Sequence, residues 1–404
     1  MICRFCSTAT SLVNTFGSMP IANGFHKIKN FDSYRFNLET VFCDSCKLFQ
    51  LAYQPKRERM FNEDYPFFTS QSKKMQEHFG KLVNHEILPR LKNNSSSFVV
   101  EIGSNDGTLL ATLKKSGINH LGIDPSASAV SIAESKFVNT TLAFFSNETA
   151  KEIKENYGPA DIVVAANVIC HLPDIKDVFT GVFNLLKPKG VFIFEDPYLM
   201  DMINKVSFDQ LYDEHVYIFS LHSIKNICSN LGLRLYDAEH QTTHGGSMRY
   251  FVTKDLRLKE TQRMSNLLIA EKELGLDQLG VYKEFSEKCK EKKLSLTTLL
   301  KSLKDKNFRI AGYGATSKST TILNYCQLST NEIDYICDST PEKIGSYSPG
   351  SGIPIISIEE MRVNKPDFMI LFAWNHEFEI FEKERDFLGN SVKWIGYIPE
   401  VKIY

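Results

Sequence analysis

Tyr212-Asp213-Glu214-His215 places a phenol, two carboxylates and an imidazole in four consecutive positions. A histidine near neutral pKa can remove a proton, a neighbouring carboxylate can orient it, and a tyrosine can donate to an oxyanion. A solvated loop would also account for so polar a run. His171 follows Asn167-Val168-Ile169-Cys170 at the predicted C-terminal end of a strand, the edge where open α/β sheets bind ligands. His244-Gly245-Gly246-Ser247-Met248-Arg249 adds a glycine turn and a cation before another strand, and reads equally as a ligand contact or as a hairpin with a surface arginine.

Four of the nine cysteines fall within the first 46 positions as two knuckles, Cys3-x-x-Cys6 and Cys43-x-x-Cys46. Each knuckle brings two thiolates to one tetrahedral ion, and two knuckles close the site, so a structural Zn2+ with no open coordination position is expected. Cys170, Cys228, Cys289, Cys326 and Cys337 are scattered singly and read as buried small hydrophobes. An odd count argues against a disulfide framework.

Two glycine loops follow predicted strands. In the first, Glu101-Ile102-Gly103-Ser104-Asn105-Asp106-Gly107-Thr108, Asn105 stands where a dinucleotide fingerprint has its middle glycine. An acid ahead of the first glycine suits a nucleoside carrying an amino-acid tail. Asp124 ends the next strand 21 residues after Gly103, where its carboxylate would take the ribose hydroxyls. In the second loop, Gly312-Tyr313-Gly314-Ala315-Thr316-Ser317-Lys318, Ser317 replaces the second glycine of a P-loop. A phosphate-cradling turn with Lys318 as counter-charge is therefore more economical than an NTPase. Asp338, Tyr347 and Trp374-Asn375 fall in loops or near strand ends that could close over a nucleotide, though ordinary turns explain each alone.

The elements that must position these groups are legible as patterns. Apolar runs at Phe98–Ile102, His120–Ile123, 161–166, 190–195, 233–236 and 248–252 alternate with helix-length segments, apart from the last two, which could pair antiparallel. Residues 255 to 306 are charged and helical, with Val281, Phe285 and Cys289, then Leu296, Leu299, Leu300 and Leu303, on one face. This segment is expected to join two lobes, and α/β alternation restarts at Phe308. The fold expected is α/β: a small N-terminal zinc module over residues 1–69, a Rossmann-like lobe over 70–254, and over 255–404 a helical connector with a second Rossmann-like lobe.

At 404 residues, with 47 basic and 48 acidic side chains, the net charge is −1, which gives no support to nucleic-acid or membrane attachment by bulk charge. No charged-then-apolar leader opens the sequence, and no apolar run reaches the ~18 residues of a membrane span. A cytoplasmic enzyme is expected.

Residues 95–253 resemble the class I S-adenosylmethionine-dependent methyltransferases, through the Glu101–Thr108 loop, Asp124, the 161–167 strand end and Leu186-Lys187-Pro188-Lys189-Gly190. Nearly the whole chain resembles the nucleotide-sugar C-methyltransferases, which methylate C3 of nucleotide-linked 4-keto-deoxysugars. The cysteine knuckles with Gln50, the Glu101–Thr108 loop, His244–Arg249 and Gly312–Lys318 carry that likeness. It implies three domains in a monomer or homodimer, with the sugar nucleotide between the middle and C-terminal lobes. It further implies S-adenosylmethionine against Glu101, Gly103, Asn105, Asp106, Gly107, Asp124 and Asn167. Substrate would meet His244, Arg249, Gly314, Lys318, Tyr347 and Asn375. His215 would be the general base, Glu214 would orient it, and Tyr212 and His171 would touch the sugar. Asp213 replaces the family's histidine, and Tyr65 or Phe67 fills the place of an early catalytic tyrosine. An O-methyltransferase, and a binding protein with a dead cofactor lobe, are the rival readings; Asn105 argues against an NAD-linked reductase.

Overall fold

The computed structural model describes residues 1–29, 34–60, 68–91, 96–389 and 391–404. Tyr65 and Phe67 lie outside the described residues. Among these residues the chain forms three sheets.

Strands β1 (Ser11–Pro20), β2 (Arg35–Cys43) and β3 (Leu48–Leu51) form an antiparallel meander. Both knuckles have one geometry: Ser7 and Lys47, each in the left-handed region, donate their amides to the carbonyls of Cys3 and Cys43. That turn folds each Cys-x-x-Cys back on itself.

The middle lobe carries β4 (Phe98–Ile102), β5 (Asn119–Asp124), β6 (Thr140–Leu142), β7 (Ala160–Ala166) and β8 (Leu186–Pro197) as parallel strands. A two-residue strand β9 (Tyr217–Ile218) leaves this lobe and pairs with β3, so the segment just after His215 is part of the zinc-module sheet. Strands β10 (Arg234–Gln241) and β11 (Ser247–Thr253) pair antiparallel, and β11 joins β8. The order is β6-β5-β4-β7-β8-β11-β10. Because β4 neighbours both β5 and β7, the sheet has its switch point there, which opens a crevice beyond the strand ends.

The C-terminal lobe repeats that plan with β12 (Ile310–Tyr313), β13 (Ile336–Asp338), β14 (Ile355–Ser357), β15 (Phe368–Leu371) and β16 (Lys393–Gly396) parallel, closed by antiparallel β17 (Lys402–Ile403). Its switch point lies between β13 and β15, at the end of β12.

The helix Leu279–Lys304 buries Tyr282, Phe285, Cys289, Leu296, Leu300 and Leu303 at intervals of three, four and seven, one stripe of a 3.6-residue period. It does more than join two lobes. Tyr282 stacks on Phe42 and Phe49 of the zinc module, with ring centroids 4.4 and 5.5 Å apart, so one apolar core spans module, helix and C-terminal lobe. No helix among the described residues is long and apolar enough to cross a membrane.

Candidate active site and metal centre

The four knuckle thiols converge, with Sγ separations of 3.5 Å for Cys3–Cys46, 3.4 Å for Cys6–Cys43 and 3.6 Å for Cys6–Cys46. Four sulfurs about 2.3 Å from a tetrahedral zinc stand roughly 3.8 Å apart, so the donor set fits Zn2+ after small relaxation and leaves no position for water. Gln50 Nε2 donates to Cys3 Sγ at 3.3 Å, an outer hydrogen bond of the kind that orients a ligand. The five remaining cysteines are all buried.

The first glycine loop is built around Asp124, whose carboxylate accepts the amides of Asn105 at 2.8 Å and Ser126 at 2.9 Å. Gly103 and Gly107 adopt positive φ, as do Asn105 and Asn167. A Cβ on Gly103 would overlap the Val168 side chain, so that position is closed to any other residue. Asp106 receives Thr108 Oγ1 at 2.6 Å and the Ser70 amide at 3.0 Å, which ties the segment ahead of helix Lys73–Leu82 down onto the loop. Glu101 Oε2, Ser104 Oγ and Asn167 Oδ1 are buried without partners among the described residues. Polar atoms left so at the crevice suit a polar nucleoside ligand that would satisfy them. Burial, then Asp124 and Asp106, push the Glu101 carboxyl well above its ordinary range.

His215 sits beyond the same crevice, 7% exposed. Its Nδ1 donates to the Gln210 carbonyl at 2.7 Å, since a carbonyl can only accept; Nε2 therefore carries the lone pair and accepts the Tyr212 hydroxyl at 2.8 Å. The His171 ring lies nearly parallel to it, 5.2 Å between centroids and 15° between planes. Burial and then the neighbouring His171 hold the His215 pKa well below its usual value, and burial brings His171 down to about 4. Both imidazoles are neutral at pH 7. Donor atoms of Cys170, His171 and His215 lie within 4.8 Å of one another, but Gln210 and Tyr212 already engage both His215 nitrogens.

Two expectations change here. The partner that orients His215 is the Gln210 carbonyl, not Glu214, whose Oε1 instead accepts Asn23 Nδ2 at 2.7 Å. Arg249 is not a free cation: it is 5% exposed, with Nε on Glu195 at 2.5 Å and Nη1 on Glu239 at 2.8 Å, because β11 lies between β8 and β10. Asp213, the substituted position, accepts the Ala22 amide on Oδ1 at 2.9 Å, and burial pushes its pKa up to about 7. That carboxyl serves the junction with the zinc module rather than the base.

Across the cleft, Gly314 (φ 94°) is pressed against Ala373, and Asp338 accepts the amides of Ala315 and Thr340 at 2.7 and 2.8 Å. Lys318, at the start of helix Ser317–Cys326, donates to the His244 carbonyl at 3.3 Å and Asn375 Oδ1 at 3.4 Å. Its ammonium lies 4.5 Å over the Trp374 ring. Burial lowers the Lys318 pKa to about 8. His244 is half-buried, its Nε2 enclosed with no partner among the described residues, and burial lowers its pKa to about 3. Lys318, His244 and Asn375 are thus brought together. Tyr347 is drawn to the zinc module, its amide on the His26 carbonyl at 2.8 Å.

Asn23 escaped sequence reasoning, although it links Glu214 to Ser317 Oγ, which donates to Asn23 Oδ1 at 3.0 Å. So did Lys343, whose ammonium donates to the Ala315 carbonyl at 2.8 Å beside the second loop. The only signals were an Asn-Gly turn after β1 and a lysine just past β13.

Three family models match in succession: a putative zinc binding domain over residues 3–61, a methyltransferase domain over 73–238, and a C-methyltransferase C-terminal domain over 242–399. The C-methyltransferase NovU of Streptomyces niveus is 32% identical over 405 aligned residues, covering 99% of this chain and 96% of that protein. An ubiquinone biosynthesis O-methyltransferase of Colwellia psychrerythraea is 29% identical over 98 residues, 24% of this chain and 40% of that protein. Among solved structures, magnesium protoporphyrin IX methyltransferase from Synechocystis with bound SAM is similar at 15% identity and a TM-score of 0.34, covering 45% of this chain and 79% of that one. With a relative this similar from end to end, the chain belongs to the S-adenosylmethionine-dependent C-methyltransferases that carry an N-terminal zinc module.

Proposed function

We propose that the protein methylates C3 of a nucleotide-linked 4-keto-deoxysugar through an enolate, with His215 as the base. The observation that carries this reading is the fixed tautomer of His215: Nδ1–H is spent on Gln210, so Nε2 is the atom that can accept a proton. A sugar C–H beside a ketone is acidic enough for an imidazole to remove, whereas an isolated sugar C–H is not. Bound S-adenosylmethionine, held by Glu101, Asn105, Asp124 and Asn167, supplies the electrophilic methyl group.

The chain's own residues do the rest. His215 Nε2 takes the C3 proton once the Tyr212 hydroxyl swings from the nitrogen toward the C4 oxygen, where it stabilises the developing oxyanion. A hydroxyl already hydrogen-bonded to the base needs only a small rotation to do so. His171, neutral and stacked on His215, excludes water from the ring face. Lys318 and Asn375, at the mouth of the second loop, hold the substrate diphosphate. The NovU relative, named a C-methyltransferase, supports transfer to carbon. Incubating a panel of 4-keto nucleotide sugars with S-adenosylmethionine tests the reading. It predicts a product with a new methyl group bonded to C3; an O-methyl product, or none across the panel, would reject it.

A further inference from the structure

Asp209 is fully buried in the turn that leads from helix Leu199–Lys205 to the base. Its Oδ2 accepts two bonds from the other lobe, Trp374 Nε1 at 2.7 Å and Tyr397 Oη at 2.8 Å, from residues 165 and 188 positions away. Oδ1 has no hydrogen-bond partner among the described residues. Burial raises the Asp209 pKa, and the charge of Lys318, the Trp374 and Tyr397 hydrogen bonds and the charge of Lys292 oppose that rise. Lys292 pins the turn's entry: its Nζ donates to the carbonyls of Lys205 at 2.9 Å, Val206 at 3.0 Å and Pro399 at 2.7 Å.

Trp374 is held as closely as Asp209. A Cβ on Gly245 would overlap its six-membered ring, so the end of the indole packs directly against bare backbone. The Lys318 ammonium rests over the ring, where the aromatic quadrupole attracts a cation. One residue beyond Asp209, the Gln210 carbonyl fixes His215 Nδ1.

We infer that Asp209 is a positioning residue for the anion site: its carboxylate fixes the Trp374 indole, and the indole face holds the Lys318 ammonium where the substrate diphosphate lies. This rests on the reading of Lys318 as the diphosphate cation. The single turn Ser207–Leu211 then sets both halves of the active site, the anion clamp through a side chain and the base through a backbone carbonyl.

Trp374 and Trp394 are the only tryptophans, so a Trp394→Phe protein reports on Trp374 alone. Adding Asp209→Asn removes the charge while keeping the shape. The expected result is altered Trp374 emission without ligand and about tenfold weaker binding of inorganic pyrophosphate by calorimetry, with S-adenosylmethionine affinity within about twofold. Unchanged emission with unchanged pyrophosphate affinity overturns the inference, as does failure of the parent protein to bind pyrophosphate. Trp374→Phe keeps an aromatic face but loses the N–H, and serves also if Asp209→Asn fails to fold. It should weaken pyrophosphate about as much as Asp209→Asn, and the two losses combined should not add; additive losses would contradict the chain from Asp209 through Trp374. Lys318→Met separates the two claims. If it binds pyrophosphate as tightly as the parent, the reading of Lys318 fails, while the emission change still decides whether Asp209 fixes Trp374.

Discussion

In the middle lobe the Gly103 amide donates to the Ile123 carbonyl while Asp124 braces the amides of Asn105 and Ser126. In the C-terminal lobe the Gly314 amide donates to the Cys337 carbonyl while Asp338 braces those of Ala315 and Thr340. The backbone device is the same, but its surroundings differ. Acids Glu101, Asp106 and Asp124 gather at the first loop, and the following helix Thr108–Lys115 has no side-chain cap, so its first amides remain for a ligand. At the second loop, Thr316 and Ser319 already cap the helix in a reciprocal box, and the charge comes from Lys318 and Lys343. A strand–glycine–helix turn thus fixes where a nucleotide can lie. On the proposed reading, the charges gathered around each turn then set its ligand, the acids of the first matching the positive sulfonium of S-adenosylmethionine and the lysines of the second the negative diphosphate of a sugar nucleotide.

His215, which belongs to neither loop, gives the largest expected effect. His215→Asn should lower kcat by about 10³-fold, in the range for a lost general base, while calorimetry finds both ligands bound as before. Next come the paired braces. Asp124→Ala should weaken S-adenosylmethionine by roughly 10- to 100-fold and spare nucleotide-sugar binding, and Asp338→Ala should do the reverse. If both variants lost the same ligand, the assignment of one loop to each would break.

Lys318→Met should raise the KM for nucleotide sugar about tenfold and leave cofactor affinity alone. Its pH dependence sharpens the point. With a pKa near 8, Lys318 is charged below that pH and neutral above it, so kcat/KM for the sugar nucleotide should fall as pH rises through about 8. His215, already neutral, should add no loss between pH 8 and 7. Lys318→Arg should move the alkaline limb upward in a pH–rate profile. The smallest effect on ligands belongs to Arg249→Met, which should leave both KM values within about twofold. Denaturant melts should nonetheless show about 3–5 kcal/mol of lost stability, because Glu195 then stays buried with its guanidinium partner gone and only the His78 contact left.

Much of this was legible from local pattern. The run Phe98–Ile102 is a strand end to end, and the cysteine spacing brought four thiols together because a Cys-x-x-Cys turn is a local structure. The glycine loops were visible because positive φ at Gly103, Gly107 and Gly314 leaves a residue-type signature. What could not be read was long-range pairing. Arg249 looked like a free cation because its partner Glu195 is 54 residues away, brought alongside by an inserted antiparallel strand. The Gln210 carbonyl, which orients His215, has no side-chain signature at all. Asn23 and Asp209 act through contacts spanning 191 and 165 residues, which only the packing of three lobes creates.

Proton abstraction can be watched without methyl transfer. A 4-keto-6-deoxyhexose nucleotide is incubated in D2O with the enzyme and S-adenosylhomocysteine, and the C3 proton signal is followed by NMR. With His215 as base the signal should wash out under the wild-type protein and persist with His215→Asn. Equal washout with both proteins, or none with a wild-type protein that still methylates the sugar, would contradict the enolate mechanism and its base.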